Sequence, residues 1–181
     1  MKTIEEAGTQ TLRWVRDEGH PEGFDLLAGD EPVVHLRWKH RGGSLALAET
    51  GRGVWSLKRL GLLQPHVTVR GSEKEVDLAR LSVHFRQSLL EIGGKPALFV
   101  RRVGISVPAW DITDLGGRGV AHIEPVADRL RLVGGVVNVG PSGAKSPDLL
   151  MGVVVAWYLI ALGWVEEELA AATVASLVAI S

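Results

Sequence analysis

The chain has 181 residues, enough for one domain that buries its own core without disulfides or metals. Its 20 basic and 21 acidic side chains nearly cancel, so no overall field draws it to nucleic acid or an anionic membrane, and such binding needs a local patch. The absence of cysteine excludes disulfide frameworks, thiolate nucleophiles and cysteine-ligated zinc or iron–sulfur centres, and agrees with a reducing compartment.

The N-terminus, Met1 to Glu6, is charged and continues with Gln10 and Arg13, so it lacks the apolar core of a secretion signal. A cytoplasmic protein is expected. Arginine dominates the basic residues and Asn138 is the only asparagine, a bias that suits a heat-adapted or GC-rich source. Residues 1–29 are the least patterned, with turn chemistry at Gly19 to Gly23, and Thr11 to Arg16 fits a short strand or a helical turn.

From Pro32 onward, short partly alternating runs are separated by glycine: Val33 to Trp38, Ser44 to Glu49 and Val54 to Arg59. This is the signature of hairpins. The pattern continues through His66 to Arg70, Val76 to Arg86, Ser88 to Ile92, Ala97 to Val103, Trp110 to Asp114, Gly119 to Glu124, Arg129 to Val133 and Val136 to Val139. The spacing predicts about ten to twelve strands in an all-β sandwich or barrel. Ile92 to Pro96 and Val133 to Val136 carry the clearest turn signals, each with a Gly-Gly pair.

After Gly140-Pro141-Ser142-Gly143 the period changes. Pro147 and Asp148 open a helix, and Leu149 to Val165 contains no charge, so this helix must be surrounded by apolar groups on every side. At about 1.5 Å per residue it reaches roughly 25 Å, short against a hydrocarbon core of about 30 Å. It also lacks a basic cluster on either flank, having Lys145 alone before it and Glu166-Glu167-Glu168 after it. A closed barrel of this strand number needs filling, and a core helix answers both needs. Three glutamates oppose a helix C-terminus but suit a first turn. The expected organisation is therefore one barrel domain, residues 1–168, with its helix at 149–165, then a separate short helix within 169–181 that caps the barrel or packs on a second copy.

Trp55-Ser56-Leu57-Lys58-Arg59-Leu60-Gly61 and Trp110-Asp111-Ile112-Thr113-Asp114-Leu115-Gly116 share a Trp-x-(Leu/Ile)-x-x-Leu-Gly pattern. Two alternatives stand: a half-barrel unit used twice, or coincidence among common strand residues. Either way the tryptophans read as core anchors.

The stretch from Leu36 to Trp157, with Leu45 to Thr50, Gly53 to Arg59, Pro65 to Arg70 and Trp110 to Ile123 in order, resembles small prokaryotic members of the Tubby-like, phospholipid-scramblase and LURP-one-related superfamily. The resemblance covers roughly two thirds of the chain and is one of pattern and order. It implies a closed antiparallel barrel of about twelve strands with a hydrophobic C-terminal helix threaded through it, mainly β with α. The functions of this superfamily include phosphoinositide binding, proposed lipid scrambling and plant defence, and many of its prokaryotic members have none assigned. The cysteine-rich palmitoylation stretch of animal scramblases is absent, as is the characteristic C-terminal sequence of true Tubby domains.

No spacing supports an enzyme or a cofactor. The six histidines show no metal-ligand pattern, and Gly140 to Ser146 fails the glycine spacing of a phosphate loop and reads as a linker into the helix. Asp111 and Asp114 form a carboxylate pair at a strand-to-turn junction where backbone bonding is expected. The one basic patch with an aromatic is Arg37-Trp38-Lys39-His40-Arg41. Alternation puts Arg37, Lys39 and Arg41 on one face, where with Lys58 and Arg59 they form the candidate anion site; the competing reading is a solvated strand edge. The expected function is a non-enzymatic module for anionic phospholipid headgroups, peripheral at a membrane. The alternative is a self-associating structural domain, with nucleic acid disfavoured.

Overall fold

The computed structural model describes residues 11–72, 76–84, 87–104, 108–129 and 131–178, with helix side chains described as far as Ala172. The charged N-terminal run Met1 to Gln10, Phe85 and Arg86 of the expected Val76 to Arg86 strand, and the last three residues fall outside this set.

Twelve strands form one closed barrel in which every strand is antiparallel to both neighbours and follows chain order. They are β1 (Leu12–Arg16), β2 (Gly23–Ala28), β3 (Glu31–Trp38), β4 (Leu45–Thr50), β5 (Gly53–Leu60), β6 (His66–Gly71), β7 (Asp77–Ser82), β8 (Ser88–Ile92), β9 (Lys95–Val103), β10 (Ala109–Asp114), β11 (Gly119–Asp128) and β12 (Arg131–Val139). β1 pairs with β12, so no edge is left open. The readable texture from Pro32 onward thus belongs to ten of these strands, while β1 and β2 come from the stretch with the weakest pattern.

Alternation decides which side chains turn inward. Leu12 and Trp14 are buried with Arg13 exposed between them, and across the β4–β5 ladder the small inward Ala46 and Ala48 face the larger Leu57 and Trp55. The space this ring encloses holds helix α1 (Leu149–Val178). Val153, Val154, Val155, Ala156, Trp157 and Tyr158 all have 0% exposure, so every side of the helix is covered. By length and composition Leu149–Ala172 could cross a membrane, but 72% of an 18-residue apolar window within it is buried inside the protein. It is the core helix that the uncharged run predicts.

The helix is longer than the sequence suggests. It does not end at Val165 and restart at the glutamates but continues unbroken to Val178, so residues 169–178 extend the same helix. The glutamates therefore sit well inside it, far from the C-terminal dipole that would oppose them. Arg59 grips Glu166 with both terminal guanidinium nitrogens, Arg41 lies 3.7 Å from Glu168, and Glu167 shares a cleft with Arg102.

Two other expectations change. The hairpin joining β8 and β9 does turn at Gly93-Gly94, both with positive φ (58° and 75°), as a two-residue hairpin requires. Gly134-Gly135, however, lies within β12, and that hairpin turns instead near Arg129, φ 56°. Close approach explains the second pair: a Cβ on Gly135 would lie 2.7 Å from the Trp157 ring, and one on Gly134 would lie 2.4 Å from the Trp14 carbonyl.

The tryptophan repeat does not mark two equivalent halves. Rotation by half a turn would carry β5 onto β11, whereas the second copy lies on β10, which runs opposite to β5. Trp55 accordingly lies at the end where Arg52 bonds the Pro147 carbonyl, and Trp110 lies beside Leu159 and Trp164 at the other. Both indoles anchor the core.

Candidate functional site at the helix exit

Odd-numbered strands end at the rim where α1 leaves the barrel, so the loops β1–β2, β3–β4 and β5–β6 gather there. An aromatic ladder leads up to this rim. Trp14 stacks on Trp157 at 5.1 Å, Phe24 meets Trp157 and Trp38 edge-on, and Trp38 stacks on Tyr158 at 5.8 Å. Helix and barrel are keyed together by five rings.

Tyr158, the chain's single tyrosine, adds a polar lock. Its hydroxyl accepts the Arg59 N–H at 2.9 Å and donates to the Ser44 carbonyl, one step beyond the Leu45–Lys58 pair that ends the β4–β5 ladder. The hydroxyl thus sits where a direct strand-to-strand bond would otherwise form. Burial pushes the phenol up to about 12, outweighing the opposing hydrogen bond from Arg59. Tyr158→Phe leaves a donor and an acceptor unmet, and we expect a loss of about 1–3 kcal/mol near neutral pH. The raised pKa means that wild type keeps this stabilisation below pH 10 and loses it as pH rises towards 12. The gap between wild type and variant, followed by urea unfolding, should close across that interval.

The five basic residues predicted as a patch do not converge. Arg37 points outward and is held by Asp17, its Nε donating to Oδ2 at 2.9 Å, with Glu49 at 3.7 Å. Burial works against the Asp17 carboxylate, but the bonds from Arg37 and the Gly19 N–H win and keep its pKa below the ordinary value. Lys39 is exposed just past the end of β3. Arg41 is exposed in the β3–β4 hairpin, beyond the reach of strand alternation, where it leans over the rim between Glu22 (3.8 Å) and Glu168 (3.7 Å). Lys58 and Arg59 are neighbours in a strand and take opposite faces: Lys58 is exposed outside, and Arg59 is occupied by Glu166, which raises its pKa.

Beside the helix the rim opens into a cavity of about 320 Å³, lined by Arg16, Phe24, Trp38, Arg41, Arg131 and Glu168 among others. Arg16 continues the inward register of Leu12 and Trp14, so period two could have placed it here. Its guanidinium lies 5.0 Å over the Phe24 ring and donates to the carbonyls of Leu132 (Nη2, 2.8 Å) and Pro21. Burial lowers its pKa, and the nearby charge of Arg131 lowers it further. At the same rim Leu62 and Leu63 stand 102% and 97% exposed in the β5–β6 loop, and the helix beyond Glu168 has no charge.

The remaining polar constellations are bonded to one another and to backbone groups of the barrel. Asp114 accepts the N–H groups of Gly116 and Arg118, both at 2.9 Å, closing the β10–β11 turn as its position predicts. Asp111 lies within β10 and bonds His122 at 2.6 Å and Arg101 at 3.2 Å. His35 and Asp25 form a second cross-strand pair at 2.6 Å. Among the described residues no three His, Asp or Glu side chains are placed to hold a metal ion. Gly140 to Ser146 is the bend into the helix, pressed so close to β11 that a Cβ on Gly143 would lie 2.0 Å from the Val120 carbonyl.

No protein-family model, curated protein or solved structure matches the chain.

Proposed function

We propose that the protein is a non-enzymatic module that docks on anionic phospholipid surfaces by the rim where α1 leaves the barrel. The observation that carries this reading is the pairing of two fully exposed leucines, Leu62 and Leu63, with an uncharged helix end at the same rim. Water-exposed leucine pairs are costly unless a partner covers them, and each buried leucine contributes about 1.5–3 kcal/mol. The helix end from Leu169 to Val178 spans roughly 15 Å, half of a hydrocarbon core of about 30 Å, long enough to reach into one leaflet. Lys39, exposed beside the β3–β4 hairpin, supplies attraction of about 1 kcal/mol near an anionic surface, and Arg41, flanked by Glu22 and Glu168, adds less. Arg37 and Arg59 are already occupied by carboxylates and contribute little. The resemblance to the Tubby-like and scramblase superfamily supports the same direction.

Co-sedimentation tests it. At low salt the protein should pellet with phosphatidylcholine vesicles that contain phosphatidylserine or phosphoinositide, less with phosphatidylcholine alone, and progressively less as salt rises. The double substitution Leu62→Ser, Leu63→Ser should weaken binding by about tenfold or more at unchanged thermal stability, the expected scale for losing a buried apolar contact. Absence of binding at low salt, or binding indifferent to both substitutions, overturns the reading. Self-association through the helix end is the competing reading: truncation after Glu168 would then lower the mass seen by light scattering.

A further inference from the structure

The cavity at the rim has a chemistry of its own. Its floor is apolar, made by Phe24, Trp38, Ala161 and Val165, and its mouth carries Arg16, Arg41 and Arg131 against Glu22 and Glu168. Three positive charges against two negative ones leave one positive charge over. The two carboxylates both lie beside Arg41, at 3.8 and 3.7 Å, too long for hydrogen bonds, so its donors remain available. Arg16 and Arg131 line the same cavity, close enough for the charge of Arg131 to act on Arg16 more strongly than Glu22 and Glu168 do, and neither forms an ion pair among the described residues. Two guanidiniums held together in this way repel, and an anion between them relieves the repulsion.

The volume, about 320 Å³, stands at the lower end of the roughly 300–1,000 Å³ typical of small-molecule sites. A multiply charged anion would leave the mouth with excess negative charge and the aromatic floor unused. A planar, singly charged carboxylate matches the guanidinium fork, and an apolar body matches the floor.

We infer that the cavity between α1 and strands β1 to β3 is a binding site for a small apolar carboxylic acid, with Arg131 on the carboxylate, the charge of the backbone-anchored Arg16 beside it, and Trp38 and Val165 against the apolar body. This inference stands apart from membrane docking, since it requires no vesicle and neither Leu62 nor Leu63.

Isothermal titration calorimetry of the full chain in vesicle-free buffer tests it with octanoate and phenylacetate. Saturable one-to-one binding is expected, with octanol and inorganic phosphate each at least about tenfold weaker because each lacks one half of the recognition. Arg131→Gln, at an exposed side chain, should weaken octanoate about tenfold or more, while Lys58→Gln on the outer face should leave it unchanged. Absence of saturable octanoate binding overturns the inference. So does equal affinity in the Arg131→Gln protein, or phosphate binding as well as octanoate. Vesicle docking by the same protein is unaffected in each of those cases, so the two proposals fail separately.

Discussion

Replacing Trp157 by alanine is expected to cost about 3–5 kcal/mol, a large part of a domain's usual stability of about 5–15 kcal/mol. The side chain is fully buried, stacks on Trp14 with 5° between the planes, and receives the edge of Phe24 at 5.4 Å. Its removal leaves a void in the middle of a barrel whose twelve-strand ring cannot contract around it. The indole N–H groups of Trp157 and Trp14 are buried without an acceptor among the described residues, so the stack holds despite two unmet donors. Trp157→Phe keeps the ring contact and removes one such donor, and should therefore lie within about 1.5 kcal/mol of wild type. Urea unfolding distinguishes the two: the alanine variant shifts the midpoint at least about twice as far as the phenylalanine variant. Equal losses would mean that the ring is not packed as described.

Gly135→Val should be comparably severe, about 3 kcal/mol or more, for the opposite reason of overfilling. The new Cβ would stand 2.7 Å from the Trp157 ring and 2.9 Å from the Glu124 carbonyl, and the second of these is backbone in a ladder that cannot move away. Gly135→Ala makes a sharper measurement, because part of its clash is with a side chain. Combining it with Trp157→Leu should recover part of the loss, giving a coupling of about 0.5–3 kcal/mol in a double-mutant cycle. The neighbouring Gly134→Ala clashes with the Trp14 carbonyl at 2.4 Å and should gain nothing from the same partner.

These two glycines also show where sequence reasoning reaches its limit. A Gly-Gly pair between apolar runs is a turn signal, and Gly93-Gly94 obeys it, but at Gly134-Gly135 the same pair serves as clearance for an indole that is distant in the chain. Local pattern cannot distinguish the two uses. By contrast, the uncharged run from Leu149 to Val165 was legible because an all-apolar helix has few possible surroundings, and the strand count supplied one. The Glu166-Glu167-Glu168 triplet resembles a helix start only while helix-end electrostatics stand alone, and Arg41 and Arg59, which meet it from elsewhere in the chain, carry no local signal of doing so.

The candidate site divides in the same way. Lys39 and Arg41 were visible as a basic run, yet Lys58 and Arg59 take opposite faces, which alternation alone predicts for any adjacent pair in a strand. Arg16 and Arg131 stand on the first and last strands and come to line one cavity only because β1 closes on β12. Leu62 and Leu63 carried no periodic signal and became informative only when found fully exposed beside the helix exit.

The central claim, that the apolar helix is the plug of a barrel, can be tested directly because the chain has no cysteine of its own. Val154→Cys places a thiol at a fully buried position of α1, and Ala171→Cys places one at an exposed position of the same helix. In detergent-free buffer, maleimide should modify the Ala171→Cys protein at once and the Val154→Cys protein only after denaturant is added. If both react at the same rate, or if the Val154→Cys thiol is protected only in detergent or lipid, the helix does not lie inside the barrel.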